Sequence, residues 1–310
     1  MLTDDNPQPF NCPLCNHNQY KEIKVFEDEV IVGKCNKCEL LYTPKRHNTP
    51  EDLFGEISSE KIDMIFKPIL NGNKRHFRYN IFKKYHKKIA QYAKGNKHLD
   101  IGCAHGFFID YARSKGLQVT GIEPNKEIAN FGRNYLNLNI INGTLDQINL
   151  TEKWDIISFT DSLEYFKTPI SDLSSLVENN LNQNGIIFIK VPNGDYFFAR
   201  HLIKTKLGIG FGGAEAFSPS KRVTHFNIKT LKNLINSLEL DVLEGGFFIP
   251  INSPIWYKYT GIHLEIENPW YLGLKERILR NILHFIGCIE FVFFRKNHFS
   301  QAVYVIAVKK

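Results

Sequence analysis

Leu99-Asp-Ile-Gly-Cys-Ala-His-Gly-Phe-Phe-Ile109 decides the fold. His98-Leu-Asp-Ile101 reads as a short buried strand, Gly102 opens a turn, and Phe107 to Lys115 reads as a helix. Glycines at 102 and 106 let a backbone approach a ligand closely. The same alternation continues downstream. Gln118 to Ile122 is a second strand and Lys126 to Tyr135 a second helix; Asn139 to Asn142 and Trp154 to Phe159 are further strands. Ile170 to Leu181 is helical, and Gly185 to Val191 is a fifth strand ended by Pro192. Strands alternating with helices predict an α/β fold, Rossmann-like and doubly wound, with a mostly parallel sheet. Thr230 to Leu238 reads as a late helix and Ala302 to Val308 as a final apolar strand.

The charges around the turn indicate what it holds. A dinucleotide site would show Gly-x-Gly-x-x-Gly and bring a pyrophosphate to this place. Here Asp100 precedes the first glycine by two residues. A carboxylate repels a pyrophosphate and attracts a cationic aminoacyl sulfonium. Glu123 ends the second strand, 21 residues after Gly102, where an acid can accept both hydroxyls of a ribose. The pattern favours S-adenosylmethionine over NAD.

Upstream, Cys12-Pro-Leu-Cys15 and Cys35-Asn-Lys-Cys38 are separated by 19 residues, among short β-like runs such as Val30-Ile-Val-Gly33. Each pair sits on a tight turn and aims two sulfurs at one point. Four thiolates complete a tetrahedron and leave no open position, so the expected metal is one structural zinc ion. His17 is an alternative ligand that the tetrahedron does not need. Cys103 and Cys288 fall outside the pattern.

The expected organisation is a zinc ribbon with its N-terminal tail over 1–45, a helical linker or lid over 46–95, and an α/β domain over 96–310. In the linker, Ile57, Ile62, Ile65 and Phe66 recur at helical spacing, as do Phe77, Ile81, Phe82, Tyr85 and Ile89. The α/β domain carries an irregular substrate loop at 193–224, where Phe197, Phe198, Phe211 and Phe217 either line a pocket or pack the loop.

The net charge of +7 is scattered, without a run of five basic residues, so nucleic acid is not signalled as a partner. Neither a secretory signal nor an 18-residue apolar span is present, and the expected location is the cytosol. The apolar and basic segment from Leu274 to Phe294 is expected to pack on its own domain, or on a twin subunit in a homodimer, rather than on a membrane.

The 99–109 stretch resembles the first motif of class I S-adenosylmethionine-dependent methyltransferases. Gly121-Ile-Glu-Pro-Asn125 resembles their ribose-binding motif, and Gly143-Thr-Leu-Asp146 their adenine-contact loop. Trp154 to Tyr165 and Leu181 to Asn193 resemble the fourth and fifth strand motifs, and Phe226 to Leu231 the opening of the late helix. With the ribbon in front, the chain is similar to bacterial methyltransferases acting on sugars and on polysaccharide or natural-product precursors. The resemblance implies cofactor contacts from Asp100, Gly102, Cys103, Ala104, Gly106, Glu123, Pro124, Thr144, Leu145 and Asp161. It implies a small-molecule acceptor. Two positions depart from it: Tyr165 replaces the usual histidine, and Thr144 stands where an acid often meets the adenine amine. The longer sugar enzymes carry a large C-terminal domain, for which no counterpart is expected here.

A general base is expected on loops at the carboxyl ends of the strands. His225 is the first choice, with Tyr165, Glu164 and His201 as alternatives. The rival functions are an RNA or protein methyltransferase and a non-catalytic cofactor-binding scaffold. The Asn/Asp-Pro-Pro-Tyr type of motif found in many amino-group methylases is absent, since the fourth strand leads into Thr160-Asp-Ser-Leu163.

Overall fold

The computed structural model describes residues 10–25, 30–45, 60, 70, 79–206, 222–248 and 270–310. The large sheet contains β4 (Lys97–Ile101), β5 (Gln118–Glu123), β6 (Asn139–Asn142), β7 (Trp154–Thr160), β8 (Leu181–Pro192), β10 (Asp241–Phe248) and β11 (Ala302–Val308). Its order is β10-β11-β8-β7-β4-β5-β6. The run from β6 to β8 is parallel, and β11 is inserted antiparallel between β8 and β10. From β4 the chain winds outward to β5 and β6, then returns to β7 and β8 on the other side. The gap between β4 and β7 is therefore the topological switch point, where open α/β sheets bind ligands.

The central strands read as near-continuous apolar runs because helices cover both faces. Ile156, Ile157 and Phe159 in β7, and Ile186 to Ile189 in β8, are fully buried. The covering helices are α1 (Tyr79–Tyr92), α2 (Phe107–Arg113), α3 (Lys126–Leu136), α4 (Pro169–Asn180) and α6 (Ile228–Ser237). Local signals fix their ends. Asn125 caps α3 by accepting from the Ile128 N–H, and Asn137 closes it in the left-handed conformation. Asn227 and Thr230 form a reciprocal capping box on α6.

One expectation is corrected, and two features go beyond the sequence reading. The stretch after Pro192 is not irregular throughout: Gly194–Lys206 forms α5. It starts on a glycine because an added Cβ at Gly194 would lie 2.4 Å from the His225 carbonyl oxygen. β10 was not legible, because its Glu244-Gly-Gly246 centre breaks any alternation, and it forms only as an edge strand on β11. The ribbon strands take a partner from far along the chain. Strands β1 (Tyr20–Val25), β2 (Ile31–Cys35) and β3 (Leu41–Tyr42) form one sheet with β9 (Thr224–His225), in the order β1-β2-β3-β9.

Leu40 and Tyr42 are fully buried in the same apolar cluster as Phe226 and Leu231. Lys229 on α6 pairs with Glu39 of the ribbon at 2.5 Å. Phe197 and Phe198 pack toward Val32 and Leu41 of the ribbon. The linker helix expected around Ile57 to Phe66, together with Phe77, Phe211 and Phe217, lies outside the described residues, as does the His201 side chain.

Candidate functional site

A cavity of about 470 Å³ opens at the carboxyl ends of β4, β5 and β7. The turn after β4 shapes one wall. Gly102, Ala104 and Gly106 all have positive φ, at 75°, 49° and 82°. A Cβ on Gly102 would lie 2.5 Å from the Ser162 side chain, so the close approach of the two loops requires glycine.

Glu123 lines the cavity and is 4% exposed. Its Oε2 accepts the Ala104 N–H and its Oε1 the Asn125 N–H, both at 3.0 Å. These bonds fix the carboxylate and leave a further acceptor site on each oxygen. Asp100 is 1% exposed. Its Oδ1 accepts from Ser158 Oγ at 2.5 Å, and Ser158 Oγ lies 2.7 Å from His98 Nε2. Asp100 Oδ2 has no hydrogen-bond partner among the described residues. Burial pushes both carboxyls up to about 7, and the Glu123 charge adds to the rise at Asp100. Two buried acids held this way favour a ligand that brings positive charge and hydroxyl donors.

Of the predicted cofactor residues, Gly102, Ala104, Glu123, Pro124, Thr144, Leu145 and Asp161 line this cavity. Asp100, Cys103 and Gly106 do not; they stand behind its wall. Cys103 packs against Gly121, where an added Cβ would lie 2.4 Å from its sulfur, and Gly106 faces Leu138. Asp161 has φ 63° and pairs with buried Lys190. Ser162, Phe166, Lys167, Thr168 and Asp172 also line the cavity and were missed. Ser162, Phe166, Lys167 and Thr168 follow β7 in a turn with no repeating pattern, and Asp172 lies in the first turn of α4.

The three predicted catalytic residues separate. Tyr165, at the end of the 3-10 turn Leu163–Tyr165, lines the cavity. Glu164 and His225 instead line a narrow cleft with Arg222, Thr224 and Phe197. His225 pairs with Leu41 in the ribbon sheet and is 5% exposed. Burial, reinforced by the Arg222 charge, lowers its pKa to about 3. The expectation that His225 overlooks the cofactor space is therefore corrected. β9 zips onto the ribbon and carries the imidazole into the junction, where burial leaves it a weak base.

Glu164 is buried, with the Arg222 guanidinium Nε 3.4 Å from its Oε1. Burial raises its carboxyl to about 7 against the opposing pull of Arg222. Its backbone carbonyl accepts the Val223 N–H at 2.9 Å, and the Val223 carbonyl accepts the Thr43 N–H at 2.9 Å. A hydrogen-bonded path thus runs from the ribbon to the turn that presents Tyr165.

The four paired cysteines converge, with all sulfurs within 4.8 Å of one another. Cys12 and Cys38 sulfurs are 3.4 Å apart, and those of Cys15 and Cys35 3.5 Å. Sulfurs about 2.3 Å from one tetrahedral zinc would lie about 3.8 Å apart. The two turns repeat each other. Asn16 N–H donates to the Cys12 carbonyl and Glu39 N–H to the Cys35 carbonyl. Cys12 N–H donates to the His17 carbonyl, and Cys35 N–H to that of Leu40. Asn16 and Glu39 both have positive φ, at 54° and 66°. His17 enters through its backbone and is not part of the sulfur cluster.

The chain is 25% identical over 209 residues to the ubiquinone biosynthesis O-methyltransferase of Haemophilus ducreyi, a match covering 62% of this chain and 83% of that protein. Among solved structures, a SAM-dependent methyltransferase from Archaeoglobus fulgidus aligns with a TM-score of 0.48 and 17% identity, covering 79% of this chain and 99% of that one. The magnesium protoporphyrin IX methyltransferase of Synechocystis PCC 6803, with bound SAH, gives a TM-score of 0.49 and 12% identity over 84% of this chain and 97% of that one. Residues 74–244, more than half of the chain, match the methyltransferase domain family and span the first motif, the cavity and the late helix. The chain belongs to the methyltransferase domain family.

Proposed function

We propose that this protein transfers the methyl group of S-adenosylmethionine to a small-molecule acceptor, a sugar or a polysaccharide or natural-product precursor. The observation that carries the cofactor assignment is the pair of buried carboxyls at the switch point. Glu123 has acceptor capacity left for two ribose hydroxyls, and the orphaned Asp100 Oδ2 gains from a nearby ammonium or sulfonium. Thr144, Leu145 and Pro124 line the same cavity, and the resemblance assigns Thr144 and Leu145 to the adenine side of the cofactor.

The bound cofactor supplies a methyl already activated by the sulfonium. The protein's task is then to orient the acceptor and exclude water. Tyr165 is the predicted catalytic residue that faces the cavity, and it orients the acceptor there. Glu164 and His225 hold that turn from behind as positioning groups. The four cysteines hold one structural zinc ion, which fixes the ribbon against the segment 222–225.

The small-molecule reading draws on the ubiquinone-pathway O-methyltransferase relative. The sugar class comes from the ribbon-bearing enzymes that the sequence resembles. Incubation with methyl-labelled S-adenosylmethionine and separate pools of nucleotide sugars, transfer RNA and protein tests it. Label should enter the sugar pool. Label entering RNA or protein instead would overturn the acceptor class.

A further inference from the structure

In the C-terminal helix α7 (Trp270–Phe294), the described side chains from 284 to 294 leave large apolar groups facing water. His284, Gly287, Cys288 and Phe291 turn toward the body. His284 Nδ1 lies 2.8 Å from Ser300 Oγ, a Cβ on Gly287 would meet the Asn297 side chain at 2.4 Å, and Phe291 stacks edgewise on Phe247 at 5.1 Å. That inward strip is narrow and partly polar. The outward strip holds Ile282, Phe285, Ile286, Ile289, Val292 and Phe293, all exposed. Their spacing of three and four residues places them on one continuous face. Phe293 and Phe294, at the helix end, are 74% and 72% exposed. A contiguous apolar face of this kind marks an interaction surface rather than scattered surface apolar residues.

The charges around the face select the partner. Between 274 and 296 the sequence carries Lys275, Arg277, Arg280, Arg295 and Lys296 against Glu276 and Glu290. Glu290 is already paired with His298 at 2.5 Å, while Arg295 and Lys296 are exposed directly beside the phenylalanines. The helix has 25 residues, about 37 Å at 1.5 Å per residue. No helix among the described residues is long and apolar enough to cross a membrane. An apolar face flanked by cations matches an anionic lipid surface, on which such a helix lies flat. A second copy of the chain would bring the same excess of positive charge against itself. Exposure also runs without a break from Val292 to Lys296, the shape of an inserting tip rather than of a dimer seam.

We propose that α7 docks the protein on an anionic membrane surface, with Phe293 and Phe294 entering the acyl boundary and Arg295 and Lys296 meeting lipid phosphates. This replaces the expectation that the segment covers its apolar face on its own domain or on a twin.

Co-sedimentation of the full chain with vesicles tests the proposal. Vesicles of equal parts phosphatidylcholine and phosphatidylglycerol should bind it, and added salt should weaken that binding. Vesicles of phosphatidylcholine alone should bind it less. Phe293→Ser with Phe294→Ser should lower the affinity at least about tenfold, through lost apolar burial. Arg295→Gln and Lys296→Gln should each lower it roughly fivefold. Phe293, Phe294 and Lys296 are exposed, so the melting temperature should hold in those variants; Arg295 also stacks over the Phe291 ring at 5.8 Å. Absence of vesicle binding by the folded protein overturns the proposal, as does binding indifferent to both sets of substitutions. A concentration-dependent dimer abolished by the phenylalanine substitutions, without vesicle binding, would assign the face to a second copy instead.

Discussion

The ribbon and the switch-point cavity are both built to hold a ligand, and they are built oppositely. In the ribbon, four sulfurs converge within 4.8 Å and the backbone turns that carry them repeat one another. Every donor lies close to one spot, a set that a single tetrahedral metal ion would complete. In the cavity, Glu123 keeps acceptor capacity beside about 470 Å³ of open space, and Asp100 stands buried behind the wall on the neighbouring strand. A closed donor set stabilises structure. An open one, with buried charge waiting for a partner, binds and releases a cofactor. Backbone hydrogen bonds run from Thr43 through Val223 to Glu164, next to the cavity-lining Tyr165.

The largest effect should come from the closed site. A structural zinc site contributes roughly 10–16 kcal/mol of folding energy in isolated peptides. Cys35→Ser should therefore strip the metal and melt the ribbon, as metal analysis and limited proteolysis would register. Because β9 belongs to the ribbon sheet, methyl transfer should fall with it. Full activity in a zinc-free variant would show that the two sites are independent.

In the open site, Glu123→Ala removes the proposed ribose acceptor. With about 1.5–3 kcal/mol for each charge-assisted bond lost, cofactor binding should weaken at least about tenfold while zinc content stays constant. The two sites should thus fail separately when the cavity is damaged and together when the ribbon is.

The raised carboxyls predict a pH dependence. Asp100 and Glu123 titrate near 7 in the folded protein without ligand, above their ordinary range. The folded state therefore binds more protons than the unfolded one between about pH 4 and 7. Stability of the unliganded protein should decline as pH rises through that window. A cationic cofactor requires the ionised acids, so its affinity should rise as pH passes through 7. Calorimetry on either side of pH 7 gives both signs, and an affinity that falls with rising pH would contradict the charge argument.

The smallest effect on chemistry is expected at His225. A general base supplies roughly 10²–10⁴-fold. From its buried place in the ribbon junction, His225→Ala should lower turnover by less than about tenfold and lower the stability by about 1–3 kcal/mol. A hundredfold loss of turnover at unchanged melting temperature would restore it as a base.

What the sequence made legible follows the range of the interactions involved. The turn Asp100 to Gly106, the acid at Glu123 and the cysteine pairs are local patterns set by spacing; the turn follows β4, Glu123 ends β5 and the four sulfurs converge. His225 was misread because its surroundings are set by pairing with Leu41, far away in the chain. No local pattern announces that pairing, and a two-residue strand leaves no periodicity. β10 was missed for a related reason: its glycines and acid fit an edge that only β11 defines. The outward apolar face of α7 has a helical period in the sequence, but periodicity alone does not say which face meets the body.

The central claim is that the open site binds S-adenosylmethionine through buried carboxylates. Calorimetric titration of the zinc-loaded protein above pH 7 tests it most directly, with S-adenosylmethionine and NAD as alternative ligands. The account predicts saturable binding of S-adenosylmethionine at one per chain, and no competition from NAD. Binding of NAD, or no saturable heat with S-adenosylmethionine, would contradict it.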